Sequence, residues 1–127
     1  MPASRGGLLF VFLTVLLTVL GQLLVKTGMS RVGAAPSEPG ALPWFLFKAL
    51  FHPANFFGLA CAFLAAFSWM AALTRVELSF AYPFTSLSIV LVMALSSWLF
   101  GEKVVAQQWV GVAVVCLGLW IASRGAA

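Results

Sequence analysis

The chain contains no aspartate and a single histidine, and its three glutamates keep to loops and segment ends. Glu38 lies in a stretch rich in Gly, Pro and Ser, Glu77 and Glu102 border hydrophobic runs, and His52 stands near the edge of another. Hydrolytic or transfer chemistry requires an acid–base pair, a nucleophile with its base, or a metal cluster. None of these is available at depth, so no catalytic residue, no metal site and no cofactor is expected. Cysteine is nearly as scarce. Cys61 and Cys116 each sit inside a hydrophobic run, where a thiol packs as a small apolar filler, and neither a disulfide nor a metal pair is indicated.

Charge of either sign is rare. Charged residues make up 8% of the 127, against roughly 25% in soluble domains. Hydrophobic residues make up 63% and mean hydropathy is +1.10. That composition identifies an integral membrane protein. The seven basic residues give a net charge of +4 but are scattered along the chain. A nucleic-acid-binding face would need a cluster, so they read as membrane-edge anchors and orientation signals.

Four hydrophobic runs are long enough to span, at about residues 8–26, 56–73, 80–100 and 109–122. The first, at about 1.5 Å per residue, reaches about 28 Å, close to the hydrocarbon thickness. A cleaved signal peptide is disfavoured for it by its length and by the lack of a small-residue cleavage site after it. The expected fold class is therefore an all-α membrane protein, with residues 1–127 forming one transmembrane domain. Residues 30–40, "SRVGAAPSEPG", form a loop by their Gly, Pro and Ser content. Residues 43–51 follow, too short to span and bracketed by Pro43 and Pro53; they read as a short interfacial helix with Trp44 at headgroup depth. The brief "TRVEL" connection makes the second and third spans antiparallel neighbours.

An even number of spans puts both termini on one side. That side then holds Arg5, Arg75 and Arg124, and the other Arg31, Lys48 and Lys103, with Lys26 at the membrane edge. The positive-inside rule acts on a bias, and here there is almost none. Either orientation is set weakly or the chain inserts both ways. Many transporters place their substrate site between inverted repeats, and two copies in opposite orientations would create the interior that four spans lack.

Polar residues inside the spans point the same way. Thr14, Thr18, Gln22 and Lys26 recur every four residues, a stripe of roughly 120° around a helix. Threonine hydroxyls commonly bond back to their own helix, and lysine near an end can snorkel. A buried glutamine amide, however, wants partners, and the stripe favours a helix that faces a polar interior. The third run opens with four hydroxyls, Tyr82, Thr85, Ser86 and Ser88, around Pro83. Ser96 and Ser97 read as close-packing residues. Gly111, Gly118 and Ala122 form a smooth stripe on the fourth span, suited to helix packing within a subunit or at a dimer seam.

"GQLLVKTG" at 21–28, "ELSFAYPFTSLSIVLV" at 77–92 and "FGEKVVAQQWVGVAVVCLGLWIAS" at 100–123 resemble the drug/metabolite transporter superfamily in its short four-span form, EamA-like or small multidrug resistance-like. The resemblance covers nearly the whole chain except 31–53 and is strongest from Glu77 onward. Two groups compete. The small multidrug exporters carry a membrane-embedded Glu three residues before the glycine matching Gly21, where this chain has Thr18, which cannot exchange protons for a cation. Their third-span tyrosine matches Tyr82, but their tryptophan falls on Thr85. The subunits that flip aminoarabinose-phospho-undecaprenol are more similar. They share Gly21-Gln22, Lys26, and the run at Ala81–Pro83 and Ser86-Leu87, although their short loop carries Pro where this chain has Glu77.

The resemblance implies a flippase for a polyprenyl-phosphate-linked sugar or similar anionic lipid in the bacterial inner membrane. It implies an antiparallel homodimer, or a heterodimer with a related four-span subunit. A lipid phosphate needs cations and hydrogen-bond donors. Thr18, Gln22 and Lys26 on the first span, with Tyr82, Thr85 and Ser86 on the third, are the expected substrate-binding residues. Arg75, Glu77, Glu102 and Lys103 are secondary charged candidates. A cation or metabolite exporter of the small multidrug resistance type is the alternative, and a non-transporting assembly subunit needing a four-span partner is a third reading.

Overall fold

The computed structural model describes residues 5–126; Met1–Ser4 and Ala127, included in the expected single domain, lie outside the described residues. The described residues form helices joined by short connections, with no strand among them. Among the described residues four helical segments are long and apolar enough to cross a membrane: Arg5–Val32, Pro53–Leu73, Leu78–Phe100 and Ala106–Gly125. The expected fold class holds, including the short helix between the first and second spans.

Helix α1 (Arg5–Val32) is longer than its hydrophobic run. Its 28 residues reach about 42 Å, beyond the roughly 30 Å hydrocarbon layer. Nothing after Lys26 breaks a helix until Gly33, where φ of +106° takes the left-handed region open to glycine and the Gly33 N–H donates to the Met29 carbonyl at 3.1 Å. A 3-10 turn (Pro39–Ala41) then leads into α2 (Leu42–Leu50), within a residue of the expected interfacial helix. Exposed Trp44 and Phe47 stack at 5.8 Å, Phe51 meets Phe47 edge-on at 5.2 Å, and Lys48 Nζ sits 5.9 Å from the Trp44 ring. Such an aromatic and cationic face suits the headgroup region.

Helix α3 (Pro53–Leu73) starts three residues before its expected bound. His52 caps it, its Nδ1 accepting from the Ala54 N–H at 3.2 Å, and Pro53 occupies the first helical position without losing a bond. The third span, expected as one helix, is broken into α4 (Leu78–Ala81), a 3-10 turn (Tyr82–Thr85) and α5 (Ser86–Phe100). Pro83 has no N–H to donate to the turn before it. Gly101, at φ +67°, ends α5, and α6 (Ala106–Ala126) is the last described helix.

Helices α1 and α3 form the main pair. Gly21 and Gly58 face each other at their crossing: a Cβ on either would lie 2.8 Å from the other's carbonyl oxygen. Toward the end of α1 where the chain starts, Val11, Ala72, Val76 and Ala81 form a buried cluster with Phe10, Trp69, Phe80 and Phe84 against it. The Ser68 hydroxyl there donates to the Phe10 carbonyl at 2.8 Å. At the opposite end Asn55, 3% exposed, donates to the Ala49 carbonyl at 2.8 Å and contacts Met29 Sδ at 3.3 Å, tying α2 and α1 to α3. Helix α6 is the least covered, with 6% of its spanning window buried against 22% for α1 and α3.

Candidate functional site

The α1 stripe divides by role. Thr14 is buried, and its hydroxyl donates to the Phe10 carbonyl at 2.7 Å, the back-bond its residue type favours. Thr18, Gln22 and Lys26 instead line a groove of about 450 Å³ between α1 and α3, together with Gly21, Val25, Gly58, Leu59 and Ala62. The crossing explains the groove. Two glycines in contact leave its floor without side chains, and the polar residues one turn apart on α1 become its wall.

Lys26 has a partner. Its Nζ lies 3.3 Å from Glu102 Oε1, with 56% of the lysine side chain and 45% of the glutamate side chain exposed. Glu102 comes from the connection between α5 and α6, so the ion pair ties that connection to the groove-lining Lys26 of α1. Lys103, beside it, is exposed.

Tyr82, Thr85 and Ser86 stand elsewhere. Helices α1 and α5 run in the same direction, because the chain crosses back once between them, so the head of the third span lies beside the head of α1. Phe12 meets Phe84 edge-on at 5.9 Å. Phe12, Pro83, Phe84, Ser86, Leu87, Cys116, Trp120 and Ser123 line a second cleft of about 320 Å³. Phe12 and Lys26 are fourteen residues apart on one helix, or about 21 Å along its axis. The protomer therefore brings Thr18, Gln22 and Lys26 together and keeps Tyr82, Thr85 and Ser86 apart from them.

The hydroxyls of this second group turn inward on their own backbone. Thr85 donates to the Tyr82 carbonyl at 2.5 Å, Ser86 to the Pro83 carbonyl at 2.6 Å and Ser88 to the Thr85 carbonyl at 2.6 Å. Each hydroxyl reaches the carbonyl three residues before it, the local back-bond that serine and threonine favour. Tyr82 is 54% exposed with its ring edge-on to Trp69 at 5.9 Å.

Among the secondary charged candidates, Arg75 lies over the Phe10 ring at 5.6 Å and against Gly6. Glu77 precedes α4 and its carbonyl accepts from the Phe80 and Ala81 N–H groups at 3.1 and 2.9 Å. The Gly111–Gly118–Ala122 stripe faces outward: nothing lies within 4 Å of a Cβ built on either glycine, and Ala122 is exposed. Among the described residues no group of three or more His, Cys, Asp or Glu side chains could hold a metal. Cys61 and Cys116 are free and half-buried.

Gly58, which floors the groove, and Asn55, which ties α2 and α1 to α3, were not singled out in the sequence. Asn55 is the one asparagine in the chain, and a lone amide beside a spanning run was the available signal. Gly58 gave none, because a glycine acquires its role from the helix it meets.

Residues 36–124 match the EamA-like transporter family. Over 119 residues, 92% of this chain and 95% of the relative, the sequence is 36% identical to a protein of Serratia proteamaculans named as a probable 4-amino-4-deoxy-L-arabinose-phosphoundecaprenol flippase subunit ArnE. Over 126 residues, 93% of this chain and 97% of the relative, it is 32% identical to a Photorhabdus laumondii protein named as the probable subunit ArnF of such a flippase. A Pseudomonas savastanoi protein named as a probable ArnE subunit is 32% identical over 87% of this chain and 91% of its own length. No solved structure matches. With a family model covering most of its length and relatives aligned almost end to end, the chain belongs to the EamA-like transporter family.

Proposed function

We propose that this chain is a subunit of a bacterial inner-membrane flippase that carries a polyprenyl-phosphate-linked sugar, or a similar anionic lipid, between leaflets. One observation carries the reading: Lys26 and Gln22 line one flank groove with Thr18, a cation and an amide donor in a layer where either is costly without use. Lysine suits phosphate as a point charge, and its place near a helix end is where a lipid headgroup would enter. The names of the relatives support the same ligand class. Thr18 stands where a proton-coupled cation exporter needs an acid, which disfavours the exporter alternative. The role is transport, with no catalysis.

The working unit is a pair of four-span subunits, either two copies in opposite orientations or this chain with a related one. Relatives named as two different subunits, ArnE and ArnF, both align along nearly the whole chain, and the outward face of α6 carries the small-residue stripe that a second helix could approach. A pair would also give Tyr82, Thr85 and Ser86 a place in one pathway, since inversion sets the head of one copy's third span beside the tail of the other's α1. The test is reconstitution of the chain, alone and with a second four-span subunit, in vesicles containing undecaprenyl phosphate linked to 4-amino-4-deoxyarabinose. Faster transbilayer movement of that lipid is the expected result. No acceleration in either preparation, with no polyprenyl-phosphate lipid copurifying, refutes the reading.

A further inference from the structure

Lys26, the last residue of α1 to line the groove, is held by Glu102. Gly101, at φ +67°, turns the chain out of α5 immediately before Glu102, and the carboxylate then reaches Lys26 at 3.3 Å. Both side chains are about half exposed, and exposed ion pairs are weak, so the pair opens at little cost. Which ligands can open it depends on their charge. A phosphate alone would take Lys26 and leave the Glu102 carboxylate beside a second anion, a juxtaposition that opposes binding. A headgroup carrying both a phosphate and an ammonium would give each side chain a new counter-charge.

We propose that Lys26 and Glu102 together form a receptor for a zwitterionic headgroup, with Lys26 receiving the phosphate and Glu102 the amine. Glu102 is then a specificity-determining residue that selects amine-bearing sugar phosphates over neutral ones. The inference rests on the lipid-linked sugar phosphate proposed above and adds the residue that recognises its second charge.

Binding to the full chain in lipid nanodiscs tests it with two probes: undecaprenyl phosphate linked to 4-amino-4-deoxyarabinose, and the same lipid with its amine acetylated. The expected wild-type preference for the free amine is about 5-fold, the size of one half-exposed charge pair at about 1 kcal/mol. Glu102→Gln should narrow the ratio to near one. A second variant, Lys26→Glu combined with Glu102→Lys, retains the ion pair with its ends exchanged and should also lose the preference. Equal wild-type binding of both probes, or a preference that survives in either variant, overturns this inference and leaves the proposed function standing. Binding of neither probe by the wild type, whether alone or with a second four-span subunit, overturns the proposed function as well.

Discussion

Replacing Gly58 by alanine tests whether the α1–α3 crossing makes the groove. The added methyl would lie 2.7 Å from Val25 Cγ2, 2.8 Å from the Gly21 carbonyl oxygen and 3.1 Å from Leu24 Cβ. Valine in a helix has one strongly preferred rotamer, and the Gly21 carbonyl belongs to the backbone of α1. Neither can step aside without moving a helix. Overpacking of this kind costs about 1–3 kcal/mol, partly offset by the higher helix propensity of alanine, about 1 kcal/mol. Gly118→Ala is the matched control. It gains the same propensity, but its Cβ meets nothing within 4 Å, so the difference between the two variants isolates the clash at about 1–3 kcal/mol. Unfolding by SDS titration of monomeric protein in detergent, followed by helical circular dichroism, measures that difference. The same methyl enters the floor of the groove, so lipid transport should fall with stability. Gly58→Ala as stable as Gly118→Ala would refute the close crossing and the origin assigned to the groove.

Lys26→Ala should cut reconstituted lipid flipping strongly while Lys26→Arg keeps part of it, because a phosphate leaving water unpaired costs several kcal/mol. Gln22→Leu and Tyr82→Phe should each cost on the order of 1 kcal/mol in transport, the net worth of one hydrogen bond; near-normal flipping by Lys26→Ala would move the phosphate site elsewhere, with Arg75 and Lys103 next to test. Because Thr18 stands in place of an acid, cells expressing the chain should resist quaternary ammonium compounds no better than controls. Robust resistance driven by a pH gradient would favour the exporter. Reporter fusions at the C-terminus should find it on both membrane faces, given three basic residues on the side of the termini against four on the other. A single orientation, with no inverted partner present, would exclude the antiparallel homodimer.

What was legible in the sequence is what depends on neighbours along the chain. Four spans, the short interfacial helix and the polar stripe on α1 all follow from hydropathy, proline and glycine placement, and a period near 3.6, each a property of a few consecutive residues. The stripe was divided correctly between a back-bonding Thr14 and residues facing a groove only once α3 was in place. The break at Tyr82–Thr85 was half legible: Pro83 announced a disturbance, but the destination of each hydroxyl depended on which carbonyls the 3-10 turn set within its reach. The pairing of Gly21 with Gly58, the link from Asn55 to α2 and α1, and the meeting of Lys26 with Glu102 were decided by tertiary structure alone. Each joins residues far apart in sequence, and their proximity is set by how helices cross, which periodicity within one helix does not encode. The same reason separates the two halves of the expected site. Sequence supplied only the residue types, while the parallel course of α1 and α5 set Tyr82, Thr85 and Ser86 beside the head of α1 and Lys26 toward its other end.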